Sequence, residues 1–395
     1  MNLSKGFILF LFISLINLAF ISCVIEIPLE SVEVEGIFKY KNITRVPAAK
    51  PSKKKGNLRF IETGYSEICQ NMIFLAPIKI GSNSQVFKLL LDTGSSVLWV
   101  AKPGVAGTNA ITRFYDPSKS TTSKASGQNF EIKYGSGYCH GYYYDDNAEY
   151  LANKKFNIIF GLSDHADYNV HDSDGIVGLS RNYQDARLSF IQMMKKYGNT
   201  DSLAFSVKFD SIKFAPNVVG SMFIGIHDDF KKSETVSTPL NTFYNNYFWS
   251  SSLDSFGLKN QNTHSKSNVQ TNVIFDTGTN AILLPIRYLV DLQSTLRNYG
   301  CFVMQNGNNY QIACQPNGPV PDMTFKFNGN TLVIPKNYAY YYDSKYHYVI
   351  SLVTFVNSKV YIMGSPFFFV FHTLFDPDGG KLKFYPIKGS IIRGN

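Results

Sequence analysis

The sequence predicts a mostly β protein built of two similar lobes, and three observations predict it. From Ile68 onward, apolar runs of four to eight residues alternate with clusters of Gly, Asn, Asp and Ser, the pattern of strand, turn and strand. Aromatic residues make up 15% of the chain, with 32 Phe and 25 Tyr, a composition that suits strand packing. The third observation is a repeat. Leu89-Leu90-Leu91-Asp92-Thr93-Gly94-Ser95 sets an acid in a glycine turn between apolar runs, and Val273-Ile274-Phe275-Asp276-Thr277-Gly278-Thr279 does so again. Each turn is followed by an apolar strand ending in glycine, first Ile176-Val177-Gly178-Leu179 and then Tyr361-Ile362-Met363-Gly364. Asp92 precedes Gly178 by 86 positions and Asp276 precedes Gly364 by 88, which implies two lobes related by a pseudo-two-fold axis. In that arrangement the two aspartates meet at the lobe boundary, where clefts form.

The elements follow in order. Lys5 supplies a positive charge, and Phe7 to Ile25 is apolar or small apart from Asn17, so residues 1–23 read as a secretory signal peptide. An uncleaved signal anchor is the alternative, because the run is long and Ile21-Ser22-Cys23 is a mediocre cleavage site. Only in that case is membrane association expected. Residues 24–65 carry eight basic residues against five acids, with Pro47, Pro51 and the Lys53-Lys54-Lys55 cluster. They read either as a solvated linker or as a removable prosegment whose lysines pair with the acids of the turns. Asn42-Ile43-Thr44 is a glycosylation sequon.

Residues 66–236 then form an N-terminal lobe around Asp92, and 237–395 a C-terminal lobe around Asp276. Two stretches read as helices: 188–197, stopped by Gly198, and 286–298, which follows Pro285 and ends before Gly300. Phe367–Phe371 reads as a buried strand, too short to span a bilayer. Phe130 to Tyr134, the Gly135-Ser136-Gly137 tip and the return through Cys139 form a β-hairpin able to close over a cleft and exclude water. Taken alone, it is an ordinary surface hairpin.

Composition narrows the chemistry. With 395 residues, 44% hydrophobic and 17% charged, the chain can bury a large core. The net charge of +9 is spread thinly outside residues 24–65, and no basic helix or aromatic-interleaved patch occurs, which argues against nucleic-acid binding. The seven His form no His-Glu-x-x-His motif and no Cys-x-x-Cys exists, so no metal and no cofactor are expected. There is no Gly-x-Ser-x-Gly elbow. Cys139-His140 are neighbours in sequence, whereas a thiol–imidazole pair must be neighbours in space. Asp145-Asp146 and Asp228-Asp229 read as solvated turns.

The doubled acid turn is different. Two carboxyls a few ångströms apart cannot both ionise cheaply, so they share one proton and titrate as a unit. The ionised partner takes a proton from a water held between them while the protonated one polarises a carbonyl. Gly94 and Gly278 let backbone N–H groups approach the carboxylates. Ser95 and Thr279 supply hydroxyls to the outer oxygens, and Thr93 and Thr277 reach toward the opposite turn.

These residues, with Trp99 and the Tyr134-Gly135-Ser136-Gly137 tip, resemble the pepsin-like aspartic proteases from about residue 66 to the C-terminus, and within them the plasmepsins of malaria-type parasites. The resemblance implies an endopeptidase with polypeptide substrates, catalysed by Asp92 and Asp276. It makes Tyr134 a flap tyrosine bonded to Trp99. Gly94, Gly135, Ser136, Gly278 and Thr279 would bind substrate backbone, and Ile176, Ile362, Asn280 and Tyr247 would line side-chain pockets. Ile27-Pro28-Leu29 resembles the start of an inhibitory propeptide, implying a zymogen of the secretory pathway, secreted or held in a vesicle or vacuole lumen. A catalytically silent, peptide-binding homologue is the alternative; loss of an Asp or of the flap Tyr would signal it, and none is lost.

The chain departs from the family pattern at three places. No cysteine lies between Val100 and Tyr115, so the short disulfide loop is absent; Ser365 stands where most members have Asp; and Asn280 replaces Ser. Among the five Cys, Cys23 goes with the signal segment. Cys301 and Cys314 flank a hairpin turn, and the family has a disulfide there, a loop closure contributing about 3 kcal/mol. Cys69 and Cys139 then either pair or remain free.

Overall fold

The computed structural model describes residues 24–33, 43–45, 72–107, 111–134, 137–150, 154–167, 173–181, 189–209, 220–260, 264–268, 270–343 and 346–393. The signal segment, Asn42, the lysine cluster, Cys69 and the Gly135-Ser136 tip lie outside these residues. The fold is mostly β and bilobal, as the repeat predicts.

Among the described residues the strands form two extended sheets. The first has Gln85–Asp92 parallel to Gly175–Gly178, with Asp92 opposite Gly178, and Trp99 antiparallel to Ile176 on the other side. The second repeats the arrangement: Thr271–Phe275 runs parallel to Ile362–Met363, and Leu283 pairs antiparallel with Ile362. Each acid therefore sits at the end of one strand, beside the glycine that ends its parallel neighbour. A Cβ on Gly178 would lie 2.5 Å from the Ser96 carbonyl carbon, and one on Gly364 2.2 Å from the Ala281 oxygen. No side chain fits at either place, which is why glycine closes both strands.

The two halves are not independent. Phe371–Asp376 and Lys381–Pro386, from the C-terminal half, and Val236–Pro239, at the junction of the halves, join the first sheet next to Phe205–Phe209 and Gly220–Ile224. The N-terminal strand Ile25–Glu33 completes it, pairing through Ile25–Leu29 with Gly220–Ile224 and through Glu30–Glu33 with Met72–Leu75. Ile27 and Leu29 are buried. The short strand Ile43–Arg45 pairs instead with Met304–Asn306, at the edge of the second sheet.

Helices are few. Phe190–Lys196 starts at a capping box made by Ser189 and Gln192, and Gly198 follows it with a φ of +70°. Arg287–Asn298 ends before Gly300, at a φ of +66°. Two single turns, Lys336–Ala339 and Ser365–Phe368, escaped the sequence reading. The second corrects the expected strand at Phe367–Phe371: the chain makes a helical turn after Gly364 and enters the strand only at Phe371. Burial was legible there, but a short apolar run carries no period that separates strand from helix. Cys301 and Cys314 are opposite one another in their hairpin and form a disulfide. Cys139 is a free, buried thiol whose Sγ donates to Ser163 Oγ at 3.2 Å.

The two acidic pairs also need correction, since one acid of each is buried. Asp146 accepts from Tyr115 Oη and Thr122 Oγ1, both at 2.5 Å. Asp229 lies among Lys232 Nζ at 2.5 Å, His372 Nδ1 at 2.9 Å and Lys208 Nζ at 3.3 Å, with His227 nearby. Burial alone would raise the Asp229 carboxyl, but these donors hold it well below the usual carboxylate range. Two ammonium groups already neutralise it, so a metal cation there would have to displace them.

His372 is fully buried in this cluster, its Nε2 at 2.9 Å from Ser206 Oγ, and burial lowers its pKa from 6.5 to about 3. Between those values the unfolded chain binds a proton that the native state refuses. The contribution of His372 to stability is therefore complete above about pH 6.5 and is lost progressively as the pH falls toward 3. In thermal melts at pH 7 and pH 4, His372→Gln is expected to show a smaller acid-induced drop in Tm than the unaltered protein. Equal drops would show that this imidazole does not set the acid sensitivity of the fold.

Candidate active site

The two acid turns come together by reciprocal contacts. Thr93 Oγ1 donates to the Phe275 carbonyl at 2.8 Å and accepts from the Thr277 N–H at 3.0 Å. Thr277 Oγ1 donates to the Leu91 carbonyl at 2.6 Å and accepts from the Thr93 N–H at 3.1 Å. Each hydroxyl thus both donates and accepts across the boundary, and both threonines are buried. Within its own turn, Asp92 accepts from Gly94 N–H at 2.8 Å and from Ser95 Oγ at 2.5 Å. Asp276 is held alike, by Gly278 N–H at 2.8 Å and Thr279 Oγ1 at 2.6 Å.

The glycines define how close the turns are. A Cβ on Gly94 would lie 2.7 Å from the carboxyl carbon of Asp276, and one on Gly278 would lie 2.7 Å from Asp92 Oδ1. Each carboxylate occupies the space that a side chain on the opposite turn would need. Any residue larger than glycine would push the acids apart.

Asp92 is buried while Asp276 is partly exposed. Burial, and then the negative charge of Asp276 beside it, push the Asp92 carboxyl well above the usual carboxylate range, against the opposing hydrogen bonds from Ser95 and Gly94. Asp92 therefore keeps its proton to higher pH than a free carboxyl does, with a second carboxyl against it. A pair in that state can accept a proton from water and donate one to a carbonyl oxygen.

The hairpin Lys124–Tyr134 and Gly137–Tyr150 has Tyr134 opposite Gly137 at its described end. Trp99 Nε1 donates to Tyr134 Oη at 2.8 Å. Beneath, Ile176 packs with Trp99, Phe130, Cys139 and Tyr143 in a small apolar cluster. Ile362 holds the corresponding place in the second sheet and is half-buried. Asn280 is buried, and the neighbouring Thr279 carbonyl accepts from both the N–H (2.8 Å) and the hydroxyl (3.1 Å) of Ser365. Tyr247 donates its hydroxyl to Ser96 Oγ at 3.1 Å, next to the first acid turn.

Two residues around the site were not singled out in the sequence. Arg181 donates from its N–H to the Tyr247 carbonyl at 3.1 Å, and from its guanidinium to Asn241 O at 2.9 Å and Asn246 Oδ1 at 3.1 Å. Trp249 Nε1 donates to the Leu179 carbonyl at 2.7 Å. Trp249 is one of only two tryptophans in the chain, which was a signal, but its partner lies 70 positions away.

Comparison with known proteins agrees with this geometry. Residues 73–386 match the family model for eukaryotic aspartyl proteases, a span that includes both acid turns and the hairpin. Gastricsin of Mus musculus is 26% identical over 337 residues, covering 82% of this chain and 84% of that protein. Embryonic pepsinogen of Gallus gallus is 29% identical over 320 residues, 78% of each. Vacuolar protease A of Aspergillus fumigatus is 31% identical over 283 residues, 68% of this chain and 67% of its own. With two facing Asp-Thr-Gly turns inside a family match of this extent, the chain belongs to the eukaryotic aspartyl protease family and is a pepsin-like aspartic-type endopeptidase.

Proposed function

We propose that Asp92 and Asp276 are the catalytic pair, and that they hydrolyse peptide bonds by activating one water directly, without a covalent enzyme intermediate. The observation that carries this reading is the mutual approach of the two turns, each carboxyl lying against the glycine of the other. The ionised carboxyl takes a proton from the water as it attacks; the neutral one donates to the carbonyl oxygen as the tetrahedral intermediate forms. Thr93, Ser95, Thr277 and Thr279 hold the carboxyls in place, and Gly94 and Gly278 leave backbone groups open to the substrate. The hairpin bearing Tyr134 acts as the flap, with Gly135, Ser136 and Gly137 at its tip. Ile176, Ile362, Asn280 and Tyr247 line the side-chain pockets.

The same proposal covers biosynthesis. Residues 1–23 direct the chain to the secretory pathway, residues 24–65 form the inhibitory prosegment, and 66–236 and 237–395 are the two lobes of the mature enzyme. What supports a prosegment is that Ile25–Glu33 is built into the first sheet while Ile43–Arg45 joins the second, so the segment reaches both halves. No helix among the described residues is long and apolar enough to cross a membrane. The finer affiliation, with the plasmepsins, rests on the resemblance of the motif stretches.

Three outcomes are expected. Asp92→Asn and Asp276→Asn each abolish hydrolysis of a fluorogenic peptide while the fold persists. Because burial raises the Asp92 pKa, the native state keeps a proton that the unfolded chain releases above about pH 4, and stability from this source is lost as the pH rises. Asp92→Asn should therefore gain in Tm over the unaltered protein from pH 4 to pH 7; residual turnover, or a constant Tm difference, would count against the assignment. Second, Ser365→Asp adds an acid beside Thr279, whose hydroxyl holds Asp276. Its charge disfavours ionisation of the pair, so the acid limb of kcat/KM moves to higher pH, and superimposable profiles would refute this. Third, chain beginning at Val24 is expected to be inactive until cut near residue 65, as N-terminal sequencing alongside activity would show. Equal activity before and after removal would exclude an inhibitory prosegment.

A further inference from the structure

The threonine contacts are not the only link between the acid turns. A second runs through Trp249. Leu179 N–H donates to the Asp92 carbonyl at 2.8 Å, and Trp249 Nε1 donates to the Leu179 carbonyl at 2.7 Å. Phe275 N–H then donates to the Trp249 carbonyl at 2.8 Å, and Thr93 Oγ1 donates to the Phe275 carbonyl at 2.8 Å. Asp92 is bonded covalently to Thr93, and Phe275 to Asp276, so the circuit closes on both acids. Leu179, Trp249, Phe275 and Thr93 are all buried, where a hydrogen bond has no water to replace it.

The indole has little freedom to move. It packs edge-on against Phe205 at 5.7 Å and Phe375 at 5.2 Å, and those two rings stack on each other at 4.7 Å. Phe205 and Phe375 are partners in the sheet that joins the two halves. Tyr247, two residues before, reaches the same turn through Ser96 Oγ, and the Arg181 N–H holds its carbonyl. The side chain of Trp249 thus grips the Asp92 turn while its main chain holds the strand that carries Asp276.

We infer that Trp249 is a positioning residue of the endopeptidase, fixing the separation of the two carboxyls on which their shared proton depends. The inference rests on the assignment of Asp92 and Asp276 as the catalytic pair. Removing the indole N–H leaves the Leu179 carbonyl without this donor and frees the first turn to shift relative to the second. Proton sharing pulls the first ionisation of a coupled pair down and the second up. As the carboxyls drift apart the two apparent pKa values approach each other, and the bell-shaped pH profile narrows from both sides. A purely structural tryptophan would lower Tm without changing the width of the bell.

The test uses activated enzyme and an internally quenched peptide that the unaltered enzyme cleaves. Trp249→Phe keeps an aromatic ring and removes the donor. Replacement of Trp249 by 3-benzothienylalanine keeps the bicyclic shape and puts sulfur in place of N–H, and it carries the test where the phenylalanine variant does not fold. In both, kcat is expected to fall about tenfold, as for a small misplacement of reacting groups. KM should stay within about twofold, and the pH bell should narrow. Unchanged kcat and bell width in the benzothienyl variant would overturn the inference, whatever its Tm. Asp92→Asn is measured in parallel: retained activity there would overturn the catalytic assignment itself, and the role of Trp249 with it.

Discussion

Two carboxyl groups, one buried and one partly exposed, are brought against each other, and most of the architecture around them serves that contact. An isolated buried carboxylate costs several kcal/mol, and a second beside it costs more. Here each is met by one backbone N–H and one hydroxyl from its own turn. Neutral donors of this kind orient the oxygens without cancelling their charge. Burial and the neighbouring acid then raise the Asp92 carboxyl well above its usual range.

Comparison with the other buried acids makes the point sharper. Burial pushes upward on the pKa of Asp92, Asp174 and Asp229 alike. At Asp229 two lysines and an imidazole overcome it, and the carboxylate stays ionised in the short helical turn Asp228–Lys231. At Asp174 the guanidinium of Arg113, 2.9 Å away, opposes burial without reversing it. At Asp92 no cation is among the opposing groups, and the nearest charge is another acid. Of these three buried acids, Asp92 alone has a negative charge as its charged partner.

Holding two lobes in register to within the length of a hydrogen bond requires more than the turns themselves. Strands from the C-terminal half enter the first sheet, the threonines interlock directly, and Trp249 links Leu179 to Phe275. Together these connections make the relative position of the acids a property of the whole molecule. The N-terminal strand Ile25–Glu33 adds a further layer, because it shares the joining sheet with both Gly220–Ile224 and Met72–Ile80.

What could be read from residues alone was whatever is local or repeated. The doubled Asp-Thr-Gly turn, the matched glycine-ended strands and the strand-turn texture specify two like lobes, because a glycine turn between apolar runs has few other meanings. Helix stops at Gly198 and Gly300 were legible for the same reason. What tertiary structure alone decided depends on partners far along the chain. Asp229 looks solvated beside exposed Asp228 until His372, 143 positions on, folds against it. Phe367 and Phe368 are as apolar as any strand residue, yet the backbone turns there. Trp249 has no local pattern to mark it, and its carbonyl acceptor lies 70 residues away. Hydrophobic period and turn chemistry act over a few residues, whereas the electrostatics of a buried group is set by whatever the fold brings next to it.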